Sequence, residues 1–248
     1  MSQSSLPPHP VMPDFYATED ERRVRLTDGF DATAAYYDSI NHLMSFGTDG
    51  RYRRRALLRA GLGEGMAVLD AGCGTGMTAR FAKAIVGDRG HVVGVDPSAG
   101  MLDEAIKRRR VHQALHGIAE QLPVKDGQFD MVTMTYALRH VTDLIATFRE
   151  FRRVLRPGGK VLILEMTTPQ AGWRYLLLKA HVKHVVPALA MVRARTRAAR
   201  WLYQYCWESH DRCARPEEIV HAMDQAGLCK VGRTVQLRIF SEYLGEKN

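Results

Sequence analysis

The sequence predicts an α/β fold: a doubly wound, mostly parallel sheet with a helical insert after the fifth strand and an antiparallel C-terminal strand. Three observations predict it. Short apolar runs alternate with segments of helical periodicity from residue 66 to residue 166. A glycine-rich turn follows the first of these runs, in VLDAGCGTGMTARF at 68–81. After residue 166 the alternation breaks, and it resumes only near residue 215.

The elements follow in order. Residues 1–18 are polar and proline-rich and read as a flexible tail, with the globular domain spanning 19–248. N-terminal helices are expected over 19–60, where Phe30, Ala34, Tyr37, Ile40 and Met44 recur at helical spacing. MAVLDAG (66–72) reads as a buried strand, and MTARFAKAIVG (77–87) as a helix closed by glycine. HVVGVD (91–96) is the second strand. SAGMLDEAIKRR (98–109) is a helix with Ser98 as N-cap. HQALHG (112–117) is a weak strand and FDMVTMTY (129–136) a better one. DLIATFREFRRVL (143–155) is an amphipathic helix stopped by Pro157-Gly158-Gly159, and KVLILEM (160–166) is the fifth strand. RPEEIVHAMDQAGL (215–228) is a helix with a glycine stop, and 230–245 closes with antiparallel strand residues. Strand–helix alternation of this kind gives a parallel sheet with helices on both faces, a Rossmann-like arrangement.

Composition narrows the function classes. The chain has 248 residues, 46% hydrophobic and 25% charged, enough for one large domain. No apolar run reaches the length of a membrane-spanning helix. The N-terminus lacks a signal-peptide pattern, so a cytoplasmic protein is expected. Cys73, Cys206, Cys213 and Cys229 form no CxxC pair, so neither a disulfide framework nor a metal site is expected. The net charge of +8 favours an anionic partner or surface.

Gly72, Gly74 and Gly76 stand at alternate positions where a doubly wound sheet binds its ligands. No Lys-Ser or Lys-Thr pair follows, so the loop is not a nucleotide phosphate loop. GTGMTA, from Gly74, fits a dinucleotide fingerprint, and Asp96 stands where a ribose-binding acid would. The loop alone therefore leaves two readings. Context separates them. Asp70 lies two residues before the first glycine. A carboxylate there repels a pyrophosphate but suits a ligand carrying an ammonium group. Turn glycines and a helix-capping Asp96 ahead of Ser98 are the structural alternatives. Cys73 reads as a small filler in the loop.

With GIAEQLP (117–123) after the third strand and RVLRPGGKVLILE (153–165) into the fifth, the motif order resembles the class I S-adenosylmethionine-dependent methyltransferases. The resemblance implies S-adenosyl-L-methionine as cofactor. In that family the glycine loop meets the methionine part, the acid after the second strand holds the ribose hydroxyls, and the AE-x-LP stretch meets the adenine. Asp70, Gly72, Gly74, Thr75, Asp96 and Ala119 match those positions. Met101, Ile118 and Thr135 complete the implied cofactor set, Thr135 beside the methionine part. Ile118 stands where the family usually has Asn or Asp, so a hydrogen bond to the adenine there has to come from backbone.

The N-terminal stretch narrows the family. FDATAAYYDSINHLMSFG (30–47) is similar to the first signature of the ubiquinone/menaquinone-biosynthesis C-methyltransferases, the UbiE family, through Phe30, Ala34, Tyr37, Asp38, Asn41, Met44, Ser45 and Gly47. TMTYALRHVTD (133–143) is similar to its second, with His140 in place of the usual asparagine. The implied substrate is a small molecule with an electron-rich phenol- or quinol-type ring, a prenylated quinone precursor being one such ring. An N- or O-methyltransferase of a small secondary metabolite and a non-catalytic cofactor-binding protein remain the alternatives.

Ring-carbon methylation needs a base or a cation beside the neighbouring hydroxyl. Arg139 and His140 follow the fourth strand at the mouth of the sheet, and both are catalytic candidates. In the resembling family the matching arginine is the implicated group. A structural ion pair for Arg139 and a loop hydrogen bond for His140 are the alternatives. Tyr37 and Met44 are candidates for lining the substrate lid, and equally for the core.

Between Glu165 and Glu208 the chain has no acidic residue. Residues 170–210 read as a basic helical lid insert, either touching an anionic membrane surface or capping the domain with solvated arginines. The clusters RYRRR (51–55) and KRRR (107–110) raise a nucleic-acid reading. The absence of an NPPY-type tetrad and of an added RNA-binding module argues against it.

Overall fold

The computed structural model describes residues 5–44, 47–166, 197–236 and 239–248. Seven strands form one sheet: β1 (Ala67–Ala71), β2 (His91–Asp96), β3 (Gln113–His116), β4 (Phe129–Thr135), β5 (Leu155–Met166), β6 (Cys229–Gln236) and β7 (Phe240–Glu246). Their order is β3-β2-β1-β4-β5-β7-β6. The first five run parallel, β7 runs antiparallel to β5, and β6 antiparallel to β7. The strand order reverses between β1 and β4, which opens a crevice at their carboxyl ends.

The helices are α1 (Glu19–Met44), α2 (Asp49–Arg59), α3 (Ala79–Val86), α4 (Ala99–Lys107), α5 (Leu144–Val154), α6 (Arg197–Asp211) and α7 (Pro216–Gln225), numbered among the described residues. Strand alternation divides the core between the two sheet faces. Val68, Val92, Met131, Leu162 and Leu164 pack with α2, α3 and α4. Leu69, Val93, Val132, Ile163 and Tyr243 pack with α5 and α7. Asp70 and Thr133 are register partners among these apolar runs, so both polar side chains project from the same face of the sheet.

Local chemistry sets the helix ends. The Ser98 hydroxyl accepts the Met101 N–H at 3.1 Å and caps α4. Asp143 accepts the Ile145 N–H at 2.8 Å and caps α5. Pro216 occupies the first turn of α7, and the Glu218 side chain accepts the Arg215 N–H at 2.6 Å.

Three expectations change. The fifth strand begins at Leu155, so Pro157-Gly158-Gly159 lies within β5 rather than between helix and strand. A register shift between Phe129 and Met131 absorbs the extra residues. The C-terminal segment is a hairpin of two strands, β6 and β7, not one. Residues 6–18, read as tail, pack on the domain: Leu144 N–H donates to Leu6 O at 2.9 Å, and Met12 and Tyr16 are buried against Leu26, Leu202 and Tyr205. Residues 197–210 of the expected insert form most of α6, while 170–196 lie outside the described residues.

Candidate active site

The glycine loop leaves β1 with left-handed backbone at Gly72, Gly74 and Gly76 (φ 63°, 54° and 77°). A Cβ on Gly72 would stand 2.9 Å from the Ala137 Cβ, so the loop and the turn after β4 approach each other only because no side chain intervenes. Asp96, at the end of β2, holds this loop. Its Oδ2 accepts the Gly74 N–H at 2.8 Å, and its Oδ1 accepts the Ser98 N–H at 2.9 Å. Burial pushes Asp96 up to about 6 against those two donors, and the Asp31 carboxylate pushes the same way.

Asp70 lies one strand away. It accepts the Thr133 hydroxyl at 2.7 Å on Oδ1, while Oδ2 is buried with no hydrogen-bond partner among the described residues. Burial pushes it up to about 6, opposed by the Thr133 hydroxyl and the Arg53 charge. An orphaned carboxylate oxygen beside a glycine loop fits a ligand that brings a cationic donor.

These elements border a cavity of about 370 Å³. Gly72, Gly74, Asp96, Met101, Ile118, Ala119 and Thr135 line it. Thr135 takes its hydroxyl orientation from a relay: Arg53 donates to Thr78 Oγ1 at 2.5 Å, and Thr78 donates to Thr135 Oγ1 at 3.1 Å. Phe30, Tyr37, Tyr136 and His140 form an aromatic-rich part of the same wall.

Three expected site residues lie outside the lining, Asp70 being the first: it is buried, with Oδ1 on the Thr133 hydroxyl. Thr75 is buried away from the lining: its hydroxyl donates to Asp38 Oδ1 at 2.6 Å, and Arg110 donates to its carbonyl at 3.0 Å. Arg139 lies behind the wall. It donates to Tyr136 O at 2.7 Å and stands 3.8 Å from Glu165, so it fixes the turn that carries His140. Met44 ends α1, and its side chain lies outside the described residues.

His140 lines the cavity, and its Nδ1 has no hydrogen-bond partner among the described residues. Burial, then the Arg139 and Arg22 charges, hold it well below its ordinary value, so the ring is neutral at pH 7. The Cys73 thiol is buried and pushed up by that burial, consistent with a filler role.

The sequence reading gave no role to Asp31, Asp38, Tyr136 or Glu120. Asp38 binds Arg110 at 2.6 Å and Arg108 at 2.8 Å besides Thr75. Asp31 accepts the Gly100 N–H at 2.9 Å and the Ser98 hydroxyl. Glu120 accepts the Thr142 hydroxyl at 2.6 Å at the cavity wall. Tyr136 adopts left-handed backbone (φ 56°) directly after β4. The arginine runs also prove partly internal: Arg53 is buried against Asp49 at 2.6 Å, and Arg110 pairs with Asp38. Among the described residues no helix is long and apolar enough to cross a membrane, and no cluster could hold a metal ion.

Comparison with known proteins agrees with this geometry. The model described as "ubiE/COQ5 methyltransferase family" matches residues 17–237. The "Demethylmenaquinone methyltransferase" of Staphylococcus saprophyticus is 32% identical over 220 residues, covering 87% of this chain and 92% of that protein. The "Ubiquinone/menaquinone biosynthesis C-methyltransferase UbiE" of Shewanella frigidimarina is 35% identical over 222 residues, covering 87% of each. A crystal structure of a SAM-dependent methyltransferase from Aquifex aeolicus shares the fold. Its TM-score is 0.58 at 18% identity, over 79% of this chain and 89% of that one.

Proposed function

Because the chain belongs to the ubiE/COQ5 methyltransferase family, we propose that it methylates a ring carbon of a phenol- or quinol-type acceptor, a prenylated quinone precursor in particular. It is an S-adenosylmethionine-dependent methyltransferase. The single observation carrying the substrate class is the cavity wall: an aromatic surface of Phe30, Tyr37 and Tyr136 with a neutral imidazole, continuous with the glycine loop and Asp96.

The residues present fit the cofactor. Asp96 uses two of its acceptor positions on backbone and keeps two for ribose hydroxyls. The free Asp70 oxygen supplies a counter-charge for an ammonium group. Met101, Ile118 and Ala119 offer an apolar slot for a purine. S-adenosylmethionine, when bound, supplies an electrophilic methyl on a positively charged sulfur.

The protein then has two tasks. The first is positioning, since a ring carbon held in line with the methyl gains several kcal/mol from effective concentration alone. The second is proton management. His140 is neutral, so its lone pair can accept a hydrogen bond from the acceptor's hydroxyl, which raises electron density on the adjacent ring carbon. Once methylated, the ring carbon would lose its own proton to water, which restores the aromatic ring. Arg139 serves by holding the turn at Tyr136 O, so its role here is positional. The expected peripheral membrane contact of a lipid-tailed acceptor is retained within this proposal.

The test uses S-adenosylmethionine labelled on its methyl group and purified protein, offered a prenylated hydroquinone, a short-tailed analogue and an aqueous metabolite pool. Label on a ring carbon of the hydroquinones supports the reading. Label on nitrogen or oxygen in the aqueous pool replaces it.

A further inference from the structure

The wall at His140 is assembled from parts far apart in the chain. The N-terminal segment brings His9, α1 brings Arg22 and Phe30, and α6 brings Tyr205. Tyr205 is fully buried, and its hydroxyl lies 3.1 Å from His9 Nε2 and 3.2 Å from Arg22 Nη1.

Donor chemistry fixes the direction of this chain. Arginine only donates, so Arg22 gives its hydrogen to the Tyr205 oxygen. The Tyr205 O–H must then donate to His9 Nε2, which makes Nε2 the acceptor. His9 Nδ1, 2.8 Å from Pro10 O, carries the proton and donates it there. Burial holds His9 below its ordinary value, in keeping with a neutral ring. Arg22 is also buried, and it donates to Val141 O at 2.9 Å, at the residue after His140. Every link of the chain is satisfied.

The imidazole of His140 is held differently. Its Nδ1 makes no hydrogen bond among the described residues, so packing sets its orientation. The Tyr205 ring stacks on it with centroids 5.8 Å apart at 28°, and Phe30 meets it edge-on at 5.5 Å. Trp201 stacks on Tyr205 at 5.1 Å and 10°. The charged and titratable groups acting on His140 are Arg139 on its own turn, Arg22 on α1 and His9 on the N-terminal segment, with Tyr205 from α6 stacked against it.

We propose that Tyr205 is a positioning residue for methyl transfer: His9 and Arg22 clamp its hydroxyl, the clamped ring orients His140, and the N-terminal segment thereby belongs to the active site. This rests on the reading of His140 as hydrogen-bond acceptor for the substrate hydroxyl. Tyr205→Phe keeps the stack and breaks the clamp.

The test is a double-mutant cycle on the full chain with a prenylated hydroquinone as acceptor, comparing Tyr205→Phe, His140→Ala and the pair. Tyr205→Phe is expected to lower kcat about tenfold, to leave KM for S-adenosylmethionine within about twofold, and to shift the acid limb of the kcat–pH profile. In the His140→Ala background it is expected to change nothing further. Should Tyr205→Phe fail to fold, His9→Ala breaks the same chain at its other end and enters the same cycle. Additive losses, or full kcat in the clamp variant, overturn the coupling while leaving His140 in place. Full kcat in His140→Ala overturns the reading of His140 as acceptor for the substrate hydroxyl, and the coupling with it.

Discussion

The Asp38 carboxylate accepts the Thr75 hydroxyl at 2.6 Å, and this contact ties the helix that borders the cavity to the glycine loop. The same carboxylate binds Arg110 at 2.6 Å and Arg108 at 2.8 Å. Asp38→Ala would leave a mostly buried guanidinium and a buried hydroxyl without their acceptor, at a cost of about 2–4 kcal/mol. A lower Tm and weaker S-adenosylmethionine binding are expected, read by calorimetry; unchanged values of both would mean that other contacts hold α1 to the loop. Burial raises the Asp38 pKa, but the Arg110 and Thr75 hydrogen bonds outweigh it and hold it below the ordinary value. The latch is therefore complete above the unfolded value of 3.8 and is lost as pH falls through the lowered folded value.

Gly72 and Gly65 separate backbone strain from contact. Both have left-handed backbone, φ 63° and 77°. A Cβ on Gly65 meets nothing within 4 Å, whereas one on Gly72 stands 2.9 Å from the Ala137 Cβ. Each alanine variant should lose about 1–2 kcal/mol from the left-handed conformation. Only Gly72→Ala should also weaken cofactor binding, because it pushes the loop from the turn after β4. Equal cofactor affinity in the two variants would show that the loop tolerates that displacement.

Much of this architecture is readable from local chemistry. Ser98 caps α4, and strand 91–96 and the glycine loop depend on neighbours in sequence. Family resemblance singled out residues from Gly72 to Thr135 that line the cavity. What sequence did not disclose are contacts across long separations. Asp38 and Thr75 are 37 residues apart, and His9 and Tyr205 are 196 apart. The arginine runs, which raised the nucleic-acid reading, also find internal partners: Asp49 one helical turn from Arg53, and Asp38 across a long separation from Arg110. The proline-rich N-terminus read as tail because composition does not reveal that α6 and α1 offer Met12 and Tyr16 an apolar seat.

Asp96→Ala removes the acceptor for two backbone donors and both proposed ribose contacts at once. Two charge-assisted hydrogen bonds to the ligand correspond to about 3 kcal/mol, or roughly a hundredfold in Kd. Equilibrium titration of S-adenosylmethionine against the variant checks this. Unaltered affinity would place the ribose elsewhere.

Asp70 offers a prediction with opposite signs for stability and binding. Burial raises its pKa from 3.8 to about 6, so the folded protein takes up a proton between these values that the unfolded chain does not. Its contribution to stability is complete below the unfolded value and is lost as pH rises through about 6, a swing on the order of 3 kcal/mol. The stability of the cofactor-free protein minus that of Asp70→Asn should therefore grow as pH falls from 7.5 to 5. Affinity should move the other way, because only the ionised carboxylate attracts an ammonium group. S-adenosylmethionine binding should weaken over the same interval in the unaltered protein. In Asp70→Asn it should be weaker at pH 7.5 and lose part of this dependence, with Asp96 supplying the remainder since it titrates in the same range. Denaturant melts and binding titrations at matched pH values read both curves. Parallel pH dependence of affinity in the two proteins would remove Asp70 from the cofactor site, whereas divergence near pH 6 places its free oxygen against the cofactor's cationic end.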